Sequence, residues 1–385
     1  MTRAPGENAA SRIQSIDIVR GAVMVLMAID HVRVYSGLPA GGPTAGIFFT
    51  RWVTHFCAPA FAFFAGTSAF LYGKKIGRTA ALARYLITRG LLLVLLELTV
   101  LRFAWTFNFD YAHFVLAGVI WMLGWSMVLL AGLVWLPAKA IGAIGLAIIF
   151  FQQIFRELPL ALPAQARDSI GWIWEFIYPA GFKRWDGMAI LYVLVPWIGV
   201  MAAGYAFGAI MIREPGQRRR LCLIIGVSAT LCFLIAGCLV IFLQPEHGDA
   251  RPFLFQLLDQ KKYPASQLYL LMTLGPTIAL LPLAGHARGW FSGILATFGR
   301  VPMFYYLLHI PAIHIAALAV MYLREGSIHP EWYADAPFTS VPPDHRWGLP
   351  LLYLVFALIV TALYFACRWF AGVKARNPAG WLRYL

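Results

Sequence analysis

The chain has 385 residues, 61% of them hydrophobic and 12% charged, with a formal net charge of +14. A soluble globular protein runs at about half apolar and about a quarter charged, so this composition excludes a soluble enzyme and predicts an all-α polytopic integral membrane helical bundle. The basic excess does not mark a nucleic-acid binder, because Lys and Arg gather in particular loops, where they set topology.

The polar start MTRAPGENAAS and the charged apolar run behind it lack the pattern of a cleavable signal peptide, so the first helix is expected to stay. A hydrocarbon core of about 30 Å needs spans of roughly 20 apolar residues. Ten candidates follow in order: 13–35, 51–73, 82–103, 113–135, 138–155, 188–212, 220–243, 265–284, 301–323 and 348–371. An amphipathic helix is expected over 287–299, leading into the ninth. No internal repeat, low-complexity tract or long linker divides the chain, so residues 1–385 read as a single domain.

Placing the N-terminus in the cytoplasm puts Arg3, Arg12, Lys74, Lys75, Arg78, the Arg218–Arg220 run and the basic tail (Arg368, Lys374, Arg376, Arg383) inside, with Glu7 and Glu214 as the inner acids. The outer loops then balance their Lys and Arg with acids from Asp110 to Asp344. That asymmetry predicts N-in, C-in with an even number of spans. The outer loops 37–46, 156–187, 244–264 and 324–347 are long and rich in Trp, Pro and Gly, which suggests a shaped outer vestibule.

The first span carries Asp17, Arg20, Asp30 and His31. A charge at mid-membrane costs about 2.5–3.5 kcal/mol on insertion scales, so such residues face a bundle interior or an aqueous cavity and are functional suspects. At about 100° per residue, Arg20 and His31 fall within about 20° of one face and lie about 16 Å apart along the axis. Met24 and Met27 fill the stripe between them, and Asp17 can pair with Arg20 at i,i+3. Asp30 points about 100° away from His31, so the helix does not bring the two together.

His31 is the leading candidate for a base, acid or nucleophile. His55 is expected at similar depth on the second span, where Pro59 would loosen the helix and Gly66, Ser68 and Ala69 would admit a close neighbour. Glu97 is a buried acid with Arg102 as a partner in reach. Lys261, Lys262 and Tyr263 come to the mouth of the eighth span, with Pro264 in its first turn and Ser266 capping it or lining the site. Arg300, Tyr306, His309 and His314 cluster at the ninth. His309 and His314 are poorly spaced for a shared metal, and no metal site is expected. The five cysteines, Cys57, Cys222, Cys232, Cys238 and Cys367, lie in apolar segments and read as small buried hydrophobes. Walker A, GxSxG, HExxH and dinucleotide-binding patterns are absent.

The blocks SIDIVRGAVMVLMAIDHVR, THFCAPAFAFFAGTSAFL, KYPASQLYLLMTLGP and GRVPMFYYLLHIPAIH resemble the bacterial DUF1624 family, which is similar to the heparan-alpha-glucosaminide N-acetyltransferase catalytic domain. The resemblance covers about residues 12–371. The Arg20-x10-His31 spacing also resembles the R-x10-H signature of wider membrane acyltransferases, including the acyltransferase-3 family. The resemblance implies a multi-pass enzyme of the bacterial inner (cytoplasmic) membrane that takes acetyl groups from cytoplasmic acetyl-CoA. Arg20, Asp17, Lys262, Tyr263, Arg300 and His309 would hold the donor, and His31, His55 and Asp30 would serve catalysis. Its partners would be membrane lipid, an extracytoplasmic glycan or amino-sugar acceptor, and a second copy of the chain in a homodimer. The separation of Arg20 from His31 is of the order of an extended pantetheine arm.

The lysosomal enzyme's proposed acetyl-accepting histidine lies in the loop after its first catalytic-domain helix. Here that loop, Val32 to Thr50, holds no histidine, and His31 aligns with an asparagine. The expectation is therefore direct transfer with His31 as base and His55 as helper or alternative acyl carrier. A transporter or flippase without acyl chemistry, using Asp17, Arg20, Asp30 and Glu97, is the competing reading; the missing repeat weighs against it.

Overall fold

The charged first segment forms one unbroken helix, α1 (Gln14–Tyr35), whose Met24, Met27 and Ala28 are buried. This computed structural model describes residues 13–41, 44–178, 184–185, 187–243 and 251–376. The polar start, Arg3, Glu7, Arg12, Arg383 and parts of the 37–46, 156–187 and 244–264 loops lie outside the described residues.

After α1 come α2 (Ala45–Trp52), α3 (Cys57–Ile76), α4 (Thr79–Leu96), α5 (Arg102–Thr106), α6 (Val119–Leu133), α7 (Ala138–Phe150), α8 (Ile154–Glu157) and α9 (Ala164–Ile177). The second half holds α10 (Leu194–Met211), α11 (Pro215–Leu243), α12 (Phe253–Leu258), α13 (Gln267–His286), α14 (Trp290–Arg300), α15 (Pro302–Glu325) and α16 (Leu349–Arg376). Three short strands, β1 (Val115–Ala117), β2 (Arg184–Trp185) and β3 (Met188–Ile190), form a small sheet in the order β1-β3-β2, parallel between β1 and β3 and antiparallel between β3 and β2.

The fold is therefore helical with a minor sheet. Among the described residues, six helices are long and apolar enough to cross a membrane, or seven if the bent pair over 138–150 and 154–161 is one span. The expected ten are not reached on that measure. α1 has the length but carries Asp17, Arg20, Asp30 and Arg33, and α6 has only 15 residues because 113–118 belong to a loop and β1. Likewise 188–190 are strand and not helix. The outermost helices show why the chain needs a lipid solvent. α11 exposes Ile235, Phe242 and Leu243, and α16 exposes Leu358, Phe365 and Trp369. Cys232 is exposed on α11, unlike the buried Cys57, Cys222 and Cys367.

Local rules account for the breaks. The span 51–73 is interrupted by a 3-10 turn at Val53–Phe56, which carries His55. Pro59 then falls in the first turn of α3, and the His55 carbonyl that its missing N–H leaves free accepts from the Tyr269 hydroxyl at 2.7 Å. Ser266 caps α13, accepting from Tyr269 N at 3.1 Å, and Pro264 precedes that helix. Residues 97–101 form a π-helical turn between α4 and α5.

α1 is the hub, packed against α3, α13, α14, α15 and α16. The expected amphipathic helix forms as α14, and glycines let it lie directly on α1. A Cβ at Gly21 would stand 1.8 Å from Leu295 O, and one at Gly299 1.9 Å from Asp17 O. The interface seats the Asp17 and Gly21 backbone of α1 on α14, while Arg20 and Met24 line a cavity together with residues of α3, α4, α6 and α15.

Candidate active site

His31 and His309 meet across α1 and α15. His31 Nδ1 lies 2.6 Å from His309 Nε2, and the rings stack with centroids 4.8 Å apart. His309 Nδ1 lies 2.7 Å from Tyr306 O, its own helix backbone. A carbonyl only accepts, so His309 carries its hydrogen on Nδ1 and presents a lone pair at Nε2. His31 Nδ1–H then donates to that lone pair, and His31 keeps an unprotonated Nε2. Trp105 edges onto the His31 ring at 4.9 Å and limits its rotation. His309 is completely buried; His31 is half-buried and lines a 430 Å³ cavity. His309 thus fixes the tautomer of His31.

Asp30 does not touch His31 through a hydrogen bond. Its Oδ1 takes Arg33 Nε and Nη2, both at 3.0 Å, and Arg33 Nη1 donates to Leu38 O at 2.8 Å, which anchors the helix end. Asp30, His31 and Lys262 line the same small cavity. Lys262 stands over the rings of Tyr263 at 5.2 Å and Tyr192 at 5.8 Å. Lys262 and Tyr263 therefore belong to the histidine end of α1.

Three expectations are corrected here. His55 is buried on its 3-10 turn with its ring edged against Tyr269, centroids 5.5 Å apart, and does not line the cavities that His31 lines. Glu97 does not pair with Arg102: its Oε2 accepts from Ile120 N at 3.0 Å and Trp121 N at 3.3 Å, at the positive end of α6. Arg102 instead binds the 106–114 loop through Phe114 O, Asn108 O, Asp110 O and the Thr106 hydroxyl. Arg300 is exposed at the end of α14 and lines none of the cavities that hold Arg20 or His31. His314 stacks on Phe107 and meets Ala104 O, a packing role.

At the other end of α1, Asp17 and Arg20 form the ion pair their spacing predicts, at 3.9 Å. Arg20 Nη2 also donates to Ser68 Oγ at 2.7 Å. Ser68 was legible only as a small residue suited to helix contact; its use as the acceptor for Arg20 depends on how α3 docks.

Between the two ends lie cavities in series. A 740 Å³ cavity is lined by Arg20, Lys74, Lys75, Arg213 and Arg218. It shares Arg20, Ser68 and Tyr72 with a mostly apolar cavity of 250 Å³ beside Met24. The histidine end opens on a 430 Å³ vestibule lined by Arg33, Arg51, Glu97, Lys262 and Arg346. Tyr306 lines both the apolar cavity and the vestibule, and Phe61 lines both the apolar cavity and the 30 Å³ cavity of Met27 and His31. The wall carrying Arg20, Met24, Met27 and His31 thus faces internal space along its length.

The profile of the family described as heparan-alpha-glucosaminide N-acetyltransferase, catalytic, matches residues 12–244. The chain belongs to this family. A comparison with curated proteins returns no match. The match to the heparan-alpha-glucosaminide N-acetyltransferase catalytic family takes in α1 to α11 and so contains Arg20 and His31. It stops short of the expected residue 371, and Tyr306 and His309 lie beyond it. Membership of this family makes a membrane acyltransferase the class to which the cavities and the histidine pair are to be fitted.

Proposed function

We propose that the protein is an integral-membrane acetyltransferase that takes the acetyl group of cytoplasmic acetyl-CoA and delivers it to an extracytoplasmic glycan or amino sugar, across a bacterial inner membrane spanned about ten times with both termini inside. The observation that carries this reading is the row of cavities along α1, basic at one end and imidazole-lined at the other.

The residues suit the donor. Lys74, Lys75, Arg213 and Arg218 give the inner cavity the positive charge that phosphate and pyrophosphate groups require. Arg20, fixed by Asp17 and Ser68, lines both that cavity and the apolar one beside it. The apolar cavity beyond it suits a thin, uncharged arm ending in a thioester. His31 Nε2 takes the proton from the acceptor hydroxyl or amine as that group attacks, and returns it to the departing sulfur. His309 fixes the His31 tautomer and shares the transient positive charge, the task of the orienting member in a nucleophile-base-orienter set. Lys262 adds positive charge close to the reacting carbonyl.

Purified protein in detergent, given acetyl-CoA labelled in the acetyl group, is expected to release CoA, and His31→Ala is expected to abolish release while the protein stays folded. Mass spectrometry of envelope glycans with and without the protein then identifies the acceptor. Protein that neither binds nor cleaves acetyl-CoA overturns the reading.

A further inference from the structure

One polar side chain lines both the apolar cavity beside Met24 and the vestibule at the histidine end. Tyr306 lines the 250 Å³ apolar cavity on one side and the 430 Å³ vestibule on the other. Its ring is edged against His309 at 5.0 Å, and its backbone carbonyl takes the His309 Nδ1 hydrogen. Ring and carbonyl are therefore tied to the same imidazole that orients His31. The hydroxyl is bonded to no other group among the described residues, although it is not sealed in the core as the Tyr305 hydroxyl is. An O–H without a hydrogen-bond partner among the described residues thus stands on the wall common to both cavities, beside the imidazole pair.

We infer that Tyr306 is a catalytic residue, its hydroxyl donating a hydrogen bond to the acyl carbonyl oxygen as that oxygen gains charge; this rests on the acetyltransferase reading above. The acceptor's lone pair forms the new bond to the thioester carbon, and the carbonyl π pair moves onto oxygen opposite the Tyr306 O–H. The carbonyl reforms, the C–S bond breaks with its pair on sulfur, and His31 passes the acceptor's proton to that sulfur. No proton leaves Tyr306. The geometry divides the labour: His31 handles the proton, and Tyr306 handles the charge on oxygen. A donor aimed at developing charge in a water-poor site is worth about 10²- to 10³-fold in rate, whereas a phenyl ring in its place would keep the packing against His309.

The test compares wild type, Tyr306→Phe and Tyr306→Leu in detergent. The readouts are CoA release from acetyl-CoA with water and with glucosamine as acceptors, acetyl-CoA affinity by calorimetry, and thermal midpoint. Tyr306→Phe is expected to bind acetyl-CoA as wild type does and to melt at the same temperature, while kcat falls about 10²-fold. The fall is expected to be equal for water and glucosamine, because the charge forms on the donor's carbonyl whichever nucleophile attacks. A Phe variant as fast as wild type, with Leu alone impaired, assigns Tyr306 to packing and overturns the inference while the enzyme reading stands. Loss confined to one acceptor overturns it in favour of acceptor recognition. Wild type that leaves acetyl-CoA intact overturns both.

Discussion

The 2.6 Å contact between His31 Nδ1 and His309 Nε2 fixes which nitrogen of His31 keeps a free lone pair. Because His309 is committed to a backbone carbonyl on its far side, the pair has one consistent neutral arrangement, with His31 Nε2 left unprotonated.

Replacing His309 tests this arrangement. His309→Leu leaves the His31 Nδ1–H without an acceptor and is expected to reduce kcat by about 10²-fold or more, within the range for a positioned general base. His309→Gln offers a carbonyl oxygen to the same hydrogen and is expected to retain more activity than Leu. Equal losses in the two variants, with donor affinity unchanged, would deny the orienting role; steady-state kinetics across pH decides it.

Arg20→Ala removes a half-buried cation that lines the inner cavity. Charge-assisted hydrogen bonds are worth about 1.5–3 kcal/mol, so acetyl-CoA affinity is expected to fall roughly 10- to 100-fold, with a smaller change in kcat. Calorimetry checks this. An unchanged affinity would assign Arg20 to holding α1 against α3 through Ser68.

Gly299→Val places bulk where even a Cβ would meet Asp17 O at 1.9 Å. Overpacking costs about 1–3 kcal/mol, so the thermal midpoint is expected to drop. The push falls on the Asp17–Arg20 turn, so donor affinity is expected to drop with it. Differential scanning fluorimetry and calorimetry on the same preparation read both.

Orientation is open to a direct measurement. Single cysteines at Lys75 and Asp344, both exposed, are expected to react oppositely with a membrane-impermeant maleimide in intact cells. Asp344→Cys should label and Lys75→Cys should not. The reverse pattern would place the basic cavity outside and remove cytoplasmic acetyl-CoA from reach.

Much of this protein was settled by local rules that a reader of the chain can apply. Helix periodicity alone puts Arg20, Met24, Met27 and His31 on one wall, pairs Asp17 with Arg20, and marks α14 as an amphipathic helix. Membrane energetics mark His31 and His309 as residues that need a polar partner. None of this depends on which helices are neighbours. The docking of distant segments decided the rest. His31 and His309 are separated by 278 positions, and no period links them; α15 has to lie along α1 in one register before their nitrogens meet. Glu97 turned to the amide hydrogens of α6 in preference to the nearby Arg102, because the π-helical turn and the start of α6 bring those N–H groups within reach. His55 shares the expected end of the bundle with His31, yet a 3-10 turn rotates it toward Tyr269. Tyr306 reads in the sequence as one polar residue clustered with Arg300, His309 and His314, with no sign of which cavity it would line. One helical step carries Tyr305 into the packed core and leaves Tyr306 lining two cavities, a distinction that exists only once five helices have closed around it.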